Sequence, residues 1–375
     1  MSEPIRVLQL CASLTAGGAE RLIHGLARTL NRQQFAVHVC ALSVVGGNAF
    51  QAEFDRDNIP VYVVGARKMF DPRMYLKLIR YIRANNIQII HTHLTNADFV
   101  GRIVGKILGI PVVSTMHNIP KDYDMQKSYA KALEKYTARH AVSHLIAVSE
   151  RIRQLFIQEW KIAPTMISTI ANGVPLSDFL PVPVGVTRAT PQDGPMITTI
   201  GRLTPQKAQH IFIEAAAHIL KQRADARFQI VGRGHLESEL KAQAQRLGIA
   251  ERVEFTGVRH DIPEILAASD VFVLSSAWEG LPVTAIEAMA AARPVVLTDV
   301  GGVRDLVEPN QHGLIVPANN AVALAQALLE LINNPAKAQT MGAAGRAHVQ
   351  KAFSMDLFAQ NHEQLYASIL RQRRG

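Results

Sequence analysis

The sequence predicts an α/β protein built from two doubly wound domains, each around a parallel sheet, and three observations carry that reading. Short Val/Ile-rich runs alternate with amphipathic helical segments along most of the chain, the pattern of strands covered on both faces by crossover helices. The alternation breaks at residues 180–195, "LPVPVGVTRATPQDGP", which hold four prolines and two glycines without periodicity. At 375 residues the chain is long enough for two cores.

In order, the first-half strands are expected at "IRVLQLCAS", "AVHVCALS", "PVYVVG", "IQIIHTH", "PVVSTMHN", "HLIAVS" and "MISTIANG", each but the last followed by a helix. A second series runs through "MITTIGR", "FQIVGRG", "VEFTG", "VFVLSS", "PVVLTD" and "GLIVP". The expected division is a first domain over 1–180, a linker over 181–195 and a second domain over 196–354. A content of 48% hydrophobic and 19% charged residues is that of an ordinary soluble globular protein. The N-terminus runs straight into a strand, with neither a basic n-region nor a long apolar stretch, so a cytoplasmic location is expected. Cys11 and Cys40 lie in apolar strand runs and are expected as buried free thiols.

In an open parallel sheet, ligands bind beyond the carboxyl ends of the strands. Residues at those positions are small, cationic or hydrogen-bonding: Gly17 and Gly18, His91 and His93, His117 and Asn118 in the first half, then Arg202 with Lys207, Gly232 and Glu279 in the second. Turn chemistry accounts for the glycines but poorly for Arg202, Lys207 and His117. In "AWEGLPVTAIEAMA", Pro282 suits a first helical position, which sets Glu279 just before the helix and Glu287 in its second turn. A helix N-terminus near Gly280 and Leu281 favours phosphate, and each flanking carboxylate can accept from neighbouring hydroxyls. A diphosphate with a diol on both sides meets both demands, which describes a nucleotide-sugar.

Other chemistries fit less well. The dinucleotide fingerprint G-x-G-x-x-G and the Walker sequence are missing. Asp55-Arg56-Asp57 and Asp122-Tyr123-Asp124 have the letters of a divalent-ion pair, but neither follows a strand end. His91 and His93 share a strand face without a third ligand at zinc spacing, so packing or substrate contact is expected of them. No metal is expected.

Taken together, "GGAER", "HTH", "STMHN", "AVSE", "IANGV", "IGRLTPQK", "VGRGHLESEL", "FTGV", "SSAWEGLPVTAIEAMAAARPVV" and "GGVRDLV" resemble glycosyltransferase family 4, of the GT-B fold. The resemblance implies two Rossmann-like domains facing a cleft, a nucleotide-diphosphate sugar held mainly by the second, and transfer with retention. It implies no further cofactor, and a UDP-sugar is the favoured donor. It also implies that the last helix, within 355–375, crosses back to the first domain. By the same resemblance Arg202 and Lys207 bind the diphosphate, Glu287 the ribose and Glu279 the donor sugar, with backbone help from Gly280 and Leu281. His117 meets the donor sugar, Gly17, Gly18 and Gly232 line the donor site, and Val258 touches the base through its backbone. Glu20 and Asn118 fall on the acceptor side. The catalytic group is then His117, Glu279, Arg202 and Lys207, with the leaving phosphate taking the acceptor's proton. Ala292 stands where the family usually has Gly, and Trp278 replaces its usual Pro or Tyr. A nucleotide-sugar epimerase or a silent nucleotide-sugar sensor could share the fold, and acceptor-dependent release of nucleotide separates these readings.

Charge points to the acceptor. The chain carries 40 Lys+Arg against 31 Asp+Glu, and residues 1–180 alone carry 21 against 13, a net of +8 of the total +9. Arg73, Lys77 and Arg80 form a stripe flanked by Leu76, Ile79 and Ile82, and Lys127, Lys131 and Lys135 recur four apart. The expectation is contact with an anionic membrane at its inner face, and a lipid-linked or envelope glycan acceptor. Nucleic acid is not expected, since no recognition motif or aromatic platform accompanies the charge.

Overall fold

The structure, a computed structural model, describes residues 3–15, 17–43, 50–66, 71–119, 128–181 and 194–374. It divides into two compact units, Met1–Gly173 with Met355–Gly375, and Val174–Ser354. Residues 182–193, most of the expected linker, lie outside the described residues, as do Asp122, Asp124 and Lys127.

The first unit runs β1 (Ile5–Cys11), α1 (Gly18–Thr29), β2 (Phe35–Ala41), α2 (Gln51–Arg56), β3 (Val61–Val63), α3 (Pro72–Ala84), β4 (Ile89–His93), α4 (Thr95–Leu108), β5 (Val112–Met116), α5 (Ser128–His140), β6 (His144–Ala147), α6 (Glu150–Trp160) and β7 (Ile167–Thr169). Among the described residues its seven strands pair in parallel in the order β3-β2-β1-β4-β5-β6-β7. The second unit runs β8 (Met196–Ile200), α7 (Gln209–Leu220), β9 (Arg227–Val231), α8 (Glu237–Arg246), β10 (Val253–Gly257), α9 (Ile262–Ala267), β11 (Val271–Leu274), α10 (Val283–Ala290), β12 (Val295–Thr298), α11 (Val303–Leu306), β13 (Leu314–Val316), α12 (Ala321–Ile332) and α13 (Pro335–Ala352). Its six described strands are also parallel, in the order β10-β9-β8-β11-β12-β13. The last helix, α14 (Met355–Arg374), packs against α1 in the first unit. Every strand anticipated from the Val/Ile runs is present. Strand order reverses between β1 and β4 and between β8 and β11, so the loops after those strands flank the two topological switch points, where open α/β sheets bind ligands.

Local chemistry explains the elements. Asp71 caps α3 by accepting from Arg73 N at 2.9 Å, and Pro72 opens it with a preset φ. Met74, Leu78 and Ile82 form its buried stripe, each side chain contributing about 1.5–3 kcal/mol when removed from water. Ile82 therefore belongs to the core, not to a surface stripe, and Ile79 packs partly against the same cluster; Leu76 is the member of that trio left exposed. In the second unit Pro282 is the N-cap of α10 and not its first helical residue as expected: its extended ψ of 109° is not helical, and the helix begins one residue later at Val283. Cys11 and Cys40 are buried free thiols.

The two faces of the first sheet hold different polar chemistry. On the α4 side the buried Arg102 guanidinium donates to Glu134 Oε1 at 2.5 Å and to Ser114 Oγ at 3.1 Å, while Thr92 Oγ1 donates to Asp98 Oδ1 at 2.5 Å. Such a buried ion is tolerated because partners and hydroxyls replace its water. On the opposite side Gln9, His91, His93 and Thr115, brought into register by β1, β4 and β5, meet α14. Among the described residues no helix is long and apolar enough to cross a membrane.

Candidate active site

The loops after β8 and β11 are laced together. Ser275 Oγ donates to the carbonyls of Lys207 and Ala208, both at 3.0 Å, Ala277 N donates to Gln206 O at 2.8 Å, and Gln206 Nε2 donates to Trp278 O at 3.3 Å. These contacts hold Lys207 over the buried Glu279: the ammonium donates to Glu279 Oε1 at 2.5 Å, and Ser276 Oγ donates to the same oxygen at 2.6 Å. Arg202 is exposed one residue beyond Gly201, its guanidinium resting on Gln206 Oε1 at 3.3 Å, and Gln209 Nε2 donates to its backbone carbonyl at 2.9 Å. One exposed and one half-buried cation thus stand at the switch point, where an anion would be attracted through little protein.

Gly232, at the end of β9, closes against this loop. Its φ of 134° lies where side-chain-bearing residues are strained, and an added Cβ would fall 2.0 Å from Gly201 O. Glu287 is buried on α10, and the turn before that helix is tied by Gly302 N donating to Gly280 O at 2.8 Å. Leu281 is buried and Gly280 lies beside it in the same turn. The second unit therefore brings Arg202, Lys207, Gly232, Glu279 and Gly280 into one set of contacting loops, with Leu281 and Glu287 following in the turn and helix after Gly280. Val258 is exposed after β10, which lies two strands away from β8.

In the first unit, His117 follows β5 and its Nε2 lies 3.1 Å from His93 Nδ1. His93 Nε2 lies 2.7 Å from Gln9 Oε1, Gln9 Nε2 donates to the Tyr366 hydroxyl at 3.1 Å, and that hydroxyl lies 2.6 Å from His91 Nδ1. All four ring nitrogens of His91 and His93 are engaged by protein groups. Burial pushes His91 and His93 well below the usual imidazole range, burial with repulsion from His362 holds His117 at about 4, and burial holds His362 at about 4. These rings are neutral at pH 7. Asn118 is half-buried next to His117.

Gly17 is the N-cap of α1 with an ordinary extended backbone. An added Cβ there would sit 2.4 Å from Glu20 Oε2, so the missing side chain makes room for the chain's own carboxylate. Glu20 is buried and also accepts from Thr15 Oγ1 at 3.3 Å, whereas Gly18 is exposed at the first position of α1.

Residues beyond those anticipated join these sites. Ser276 and Gln206 position the Lys207–Glu279 pair. Thr204 and Thr284 carry buried hydroxyls with no hydrogen-bond partner, in the loop of Arg202 and the first turn of α10 respectively. An unpaired buried hydroxyl costs about 1–3 kcal/mol, which marks both as groups a ligand could satisfy. Gln9, His362 and Tyr366 were missed because nothing local in the sequence links residues 9, 93 and 366.

Residues 187–348 match the model of "Glycosyl transferases group 1" and residues 16–178 that of "Glycosyltransferase Family 4". The chain is 32% identical over 280 residues to the UDP-Gal:alpha-D-GlcNAc-diphosphoundecaprenol alpha-1,3-galactosyltransferase of Escherichia coli, covering 70% of this chain and 71% of the relative. It is 28% identical over 314 residues to the D-inositol 3-phosphate glycosyltransferase of Streptomyces scabiei, covering 78% and 70%. Anabaena HepE, solved with UDP and glucose, superposes with a TM-score of 0.86 at 25% identity, over 97% of this chain and 100% of that one. Fold, switch-point site and relatives define a glycosyltransferase that uses nucleotide-sugar donors. The chain belongs to glycosyltransferase family 4, with two Rossmann-like domains of the GT-B fold.

Proposed function

We propose that the protein transfers a hexosyl group, with retention of anomeric configuration, from a UDP-sugar to a hydroxyl of a lipid-linked or envelope glycan at the inner face of the cytoplasmic membrane. The observation that carries the reading is the Lys207–Glu279 pair with Arg202 beside it, at the switch point and before the N-terminus of α10. As the glycosidic bond breaks, negative charge grows on the leaving diphosphate; Arg202 and Lys207 are fixed cations for that charge. Glu287 is assigned to the ribose hydroxyls and Val258 to the base. Glu279 orients the sugar and does not attack it: one of its oxygens is already held by an ammonium and a hydroxyl, a poor state for a nucleophile. The leaving phosphate takes the acceptor's proton, and no metal is assigned a part.

The E. coli relative, by its name, takes a UDP-sugar and a sugar on diphosphoundecaprenol, which supports both halves of the proposal. Exposed Arg73, Lys77 and Arg80 on α3 supply the charge for an anionic leaflet, each basic group contributing about 1 kcal/mol. Lys77 Nζ also donates to Val64 O at 3.2 Å and Lys135 Nζ to Glu159 O at 3.1 Å, so on both helices some cations are partly committed to the protein. The test offers UDP-sugars with and without a lipid-diphosphate-linked sugar and follows UDP release and product anomer. Acceptor-dependent release with a retained anomer is expected; interconversion of the sugar without acceptor, or no turnover with any donor, would overturn the proposal. Sedimentation with anionic vesicles that is unaffected by reversing Arg73, Lys77 and Arg80 to Glu would remove the membrane part.

A further inference from the structure

The turn that carries Glu279, residues 276–280, is gripped from the loops on either side of it. Its strand, β11, lies between β8 and β12 in the sheet, so the loops after those two strands flank it. From the β12 side the buried Thr298 Oγ1 donates to Ser276 O at 2.6 Å, and Gly302 N donates to Gly280 O at 2.8 Å. Gly301 closes the same side: its φ of 51° is left-handed, and an added Cβ would fall on Glu279 O. From the β8 side Gln206 O accepts from Ala277 N at 2.8 Å, and Gln206 Nε2 donates to Trp278 O at 3.3 Å. The peptide unit joining Ser276 to Ala277 is therefore held at both polar ends, its carbonyl by Thr298 and its N–H by Gln206.

Each of these bonds has a fixed direction. A backbone carbonyl only accepts, so Thr298 Oγ1 must donate to it; a carboxylate also only accepts, so Ser276 Oγ must give its proton to Glu279 Oε1, beside the Lys207 ammonium. Oε1 thus carries two donors. Glu279 Oε2 has no hydrogen-bond partner among the described residues and is not sealed from solvent, which leaves it as the oxygen that can accept from a ligand hydroxyl.

We propose that Thr298 is a positioning residue for the donor sugar: through the Ser276–Ala277 peptide it fixes the Ser276 hydroxyl, which pins Glu279 Oε1 and so aims Oε2 at a hydroxyl of the sugar. The proposal rests on the reading of Glu279 as the acid that meets the donor sugar. Without the Thr298 hydroxyl the peptide is anchored at its N–H alone. Tilting about that anchor changes ψ of Ser276 and draws its hydroxyl off Oε1, leaving the carboxylate to swing about the Lys207 contact. Thr298 touches neither sugar nor diphosphate in this arrangement, so it governs rate and sugar discrimination and leaves the hold on UDP alone.

The experiment compares wild type with Thr298→Val, which keeps the branched shape and removes the hydroxyl, and with Thr298→Ser, which keeps the hydroxyl. Kinetics are followed with the preferred UDP-hexose and its epimers, and free UDP is titrated into each protein by calorimetry. In Thr298→Val, kcat/KM for the preferred donor should fall about tenfold, the worth of one neutral hydrogen bond, and its preference over the epimers should narrow about fivefold, while free UDP stays within about twofold. Thr298→Ser should stay within about twofold of wild type in all three readings. In a Ser276→Ala background, where the path to Oε1 is already cut, Thr298→Val should cost less than about twofold. Unchanged discrimination in Thr298→Val, an equal loss toward free UDP, or the full cost in the Ser276→Ala background overturns the proposal. The reading beneath it fails separately: Glu279→Ala with wild-type discrimination would show that Glu279 does not meet the sugar, whereas discrimination lost in Glu279→Ala and kept in Thr298→Val overturns the positioning role alone. If Thr298→Val does not fold, Thr298→Cys, whose thiol is a weak donor, carries the same outcomes.

Discussion

The two units place opposite electrostatic arrangements at their switch points. In the second, the key groups are charged and partly open to water: Arg202 is exposed, and Lys207 is half-buried against Glu279. In the first, the groups around His117 are buried, neutral and wired to one another, with imidazoles held far below their usual range. A diphosphate carries full charge and gains from fixed cations; a sugar hydroxyl is neutral and gains from an acceptor whose orientation is settled beforehand. Charge can be supplied by residues adjacent in a loop. Orientation has to be imposed from several elements at once.

The largest effect that could break this contrast is at the cations. Arg202→Ala or Lys207→Ala should lower turnover on the order of a hundredfold or more while the circular dichroism spectrum stays unchanged, since each is assigned to the charge that develops on the leaving diphosphate. Lys207→Ala also leaves Glu279 buried without its counterion, so adding Glu279→Gln should cost less than the two single effects combined. Strict additivity would mean the pair does not act as a unit.

The acids come next. Glu287→Ala should weaken free UDP and every UDP-sugar about tenfold or more, because its assigned partner is the ribose. Glu279→Ala should spare free UDP and lose rate and sugar discrimination. Equal losses toward free UDP in both variants would cancel the division of roles.

A smaller effect separates the neutral cluster. Between about pH 6.5 and about pH 4 an unfolded chain protonates histidines that His362 and His117 keep bare when folded, so stability falls as pH falls through that window and is unaffected by these groups above it. Urea unfolding should therefore show a steeper pH dependence in wild type than in His362→Gln across that window. Matching slopes would contradict the burial of a neutral ring.

The smallest sharpens a packing detail of the second unit. Helix α10 ends with Arg293 N donating to Ala288 O at 2.9 Å and Ala292 N to Met289 O at 3.0 Å, a closure that needs a left-handed residue, and Ala292 supplies it at φ 57°. The strain of about 1–2 kcal/mol exceeds the entropy an added glycine loses on folding, so Ala292→Gly should stabilise the protein by roughly 0.5–1 kcal/mol. A loss of stability in thermal unfolding would show that the methyl group packs usefully.

These contrasts also explain what the sequence revealed. The strand runs were legible because parallel strands buried on both faces leave continuous apolar letters, as in "VFVL" and "PVVLTD". Arg202 and Lys207 share one loop, and Glu279 and Glu287 flank and enter one helix, so each pair stood out locally in the sequence, while the resemblance to a family supplied their expected roles. Gln9, His93, His117 and Tyr366 are joined only by register between β1, β4 and β5 and by the return of α14. The basic stripe was half legible: periodicity located Arg73, Lys77 and Arg80, but a helix turns every residue to some face, and Ile82 proved to face the core.

The contrast between the units is tested most directly by titrating free UDP into wild type, Arg202→Ala and His117→Ala by calorimetry. Arg202→Ala should weaken UDP at least about tenfold, the loss of one charge-assisted contact, and His117→Ala should leave it within about twofold. UDP affinity untouched by Arg202→Ala, or lowered equally in both variants, would contradict the assignment of charge to the second unit and orientation to the first.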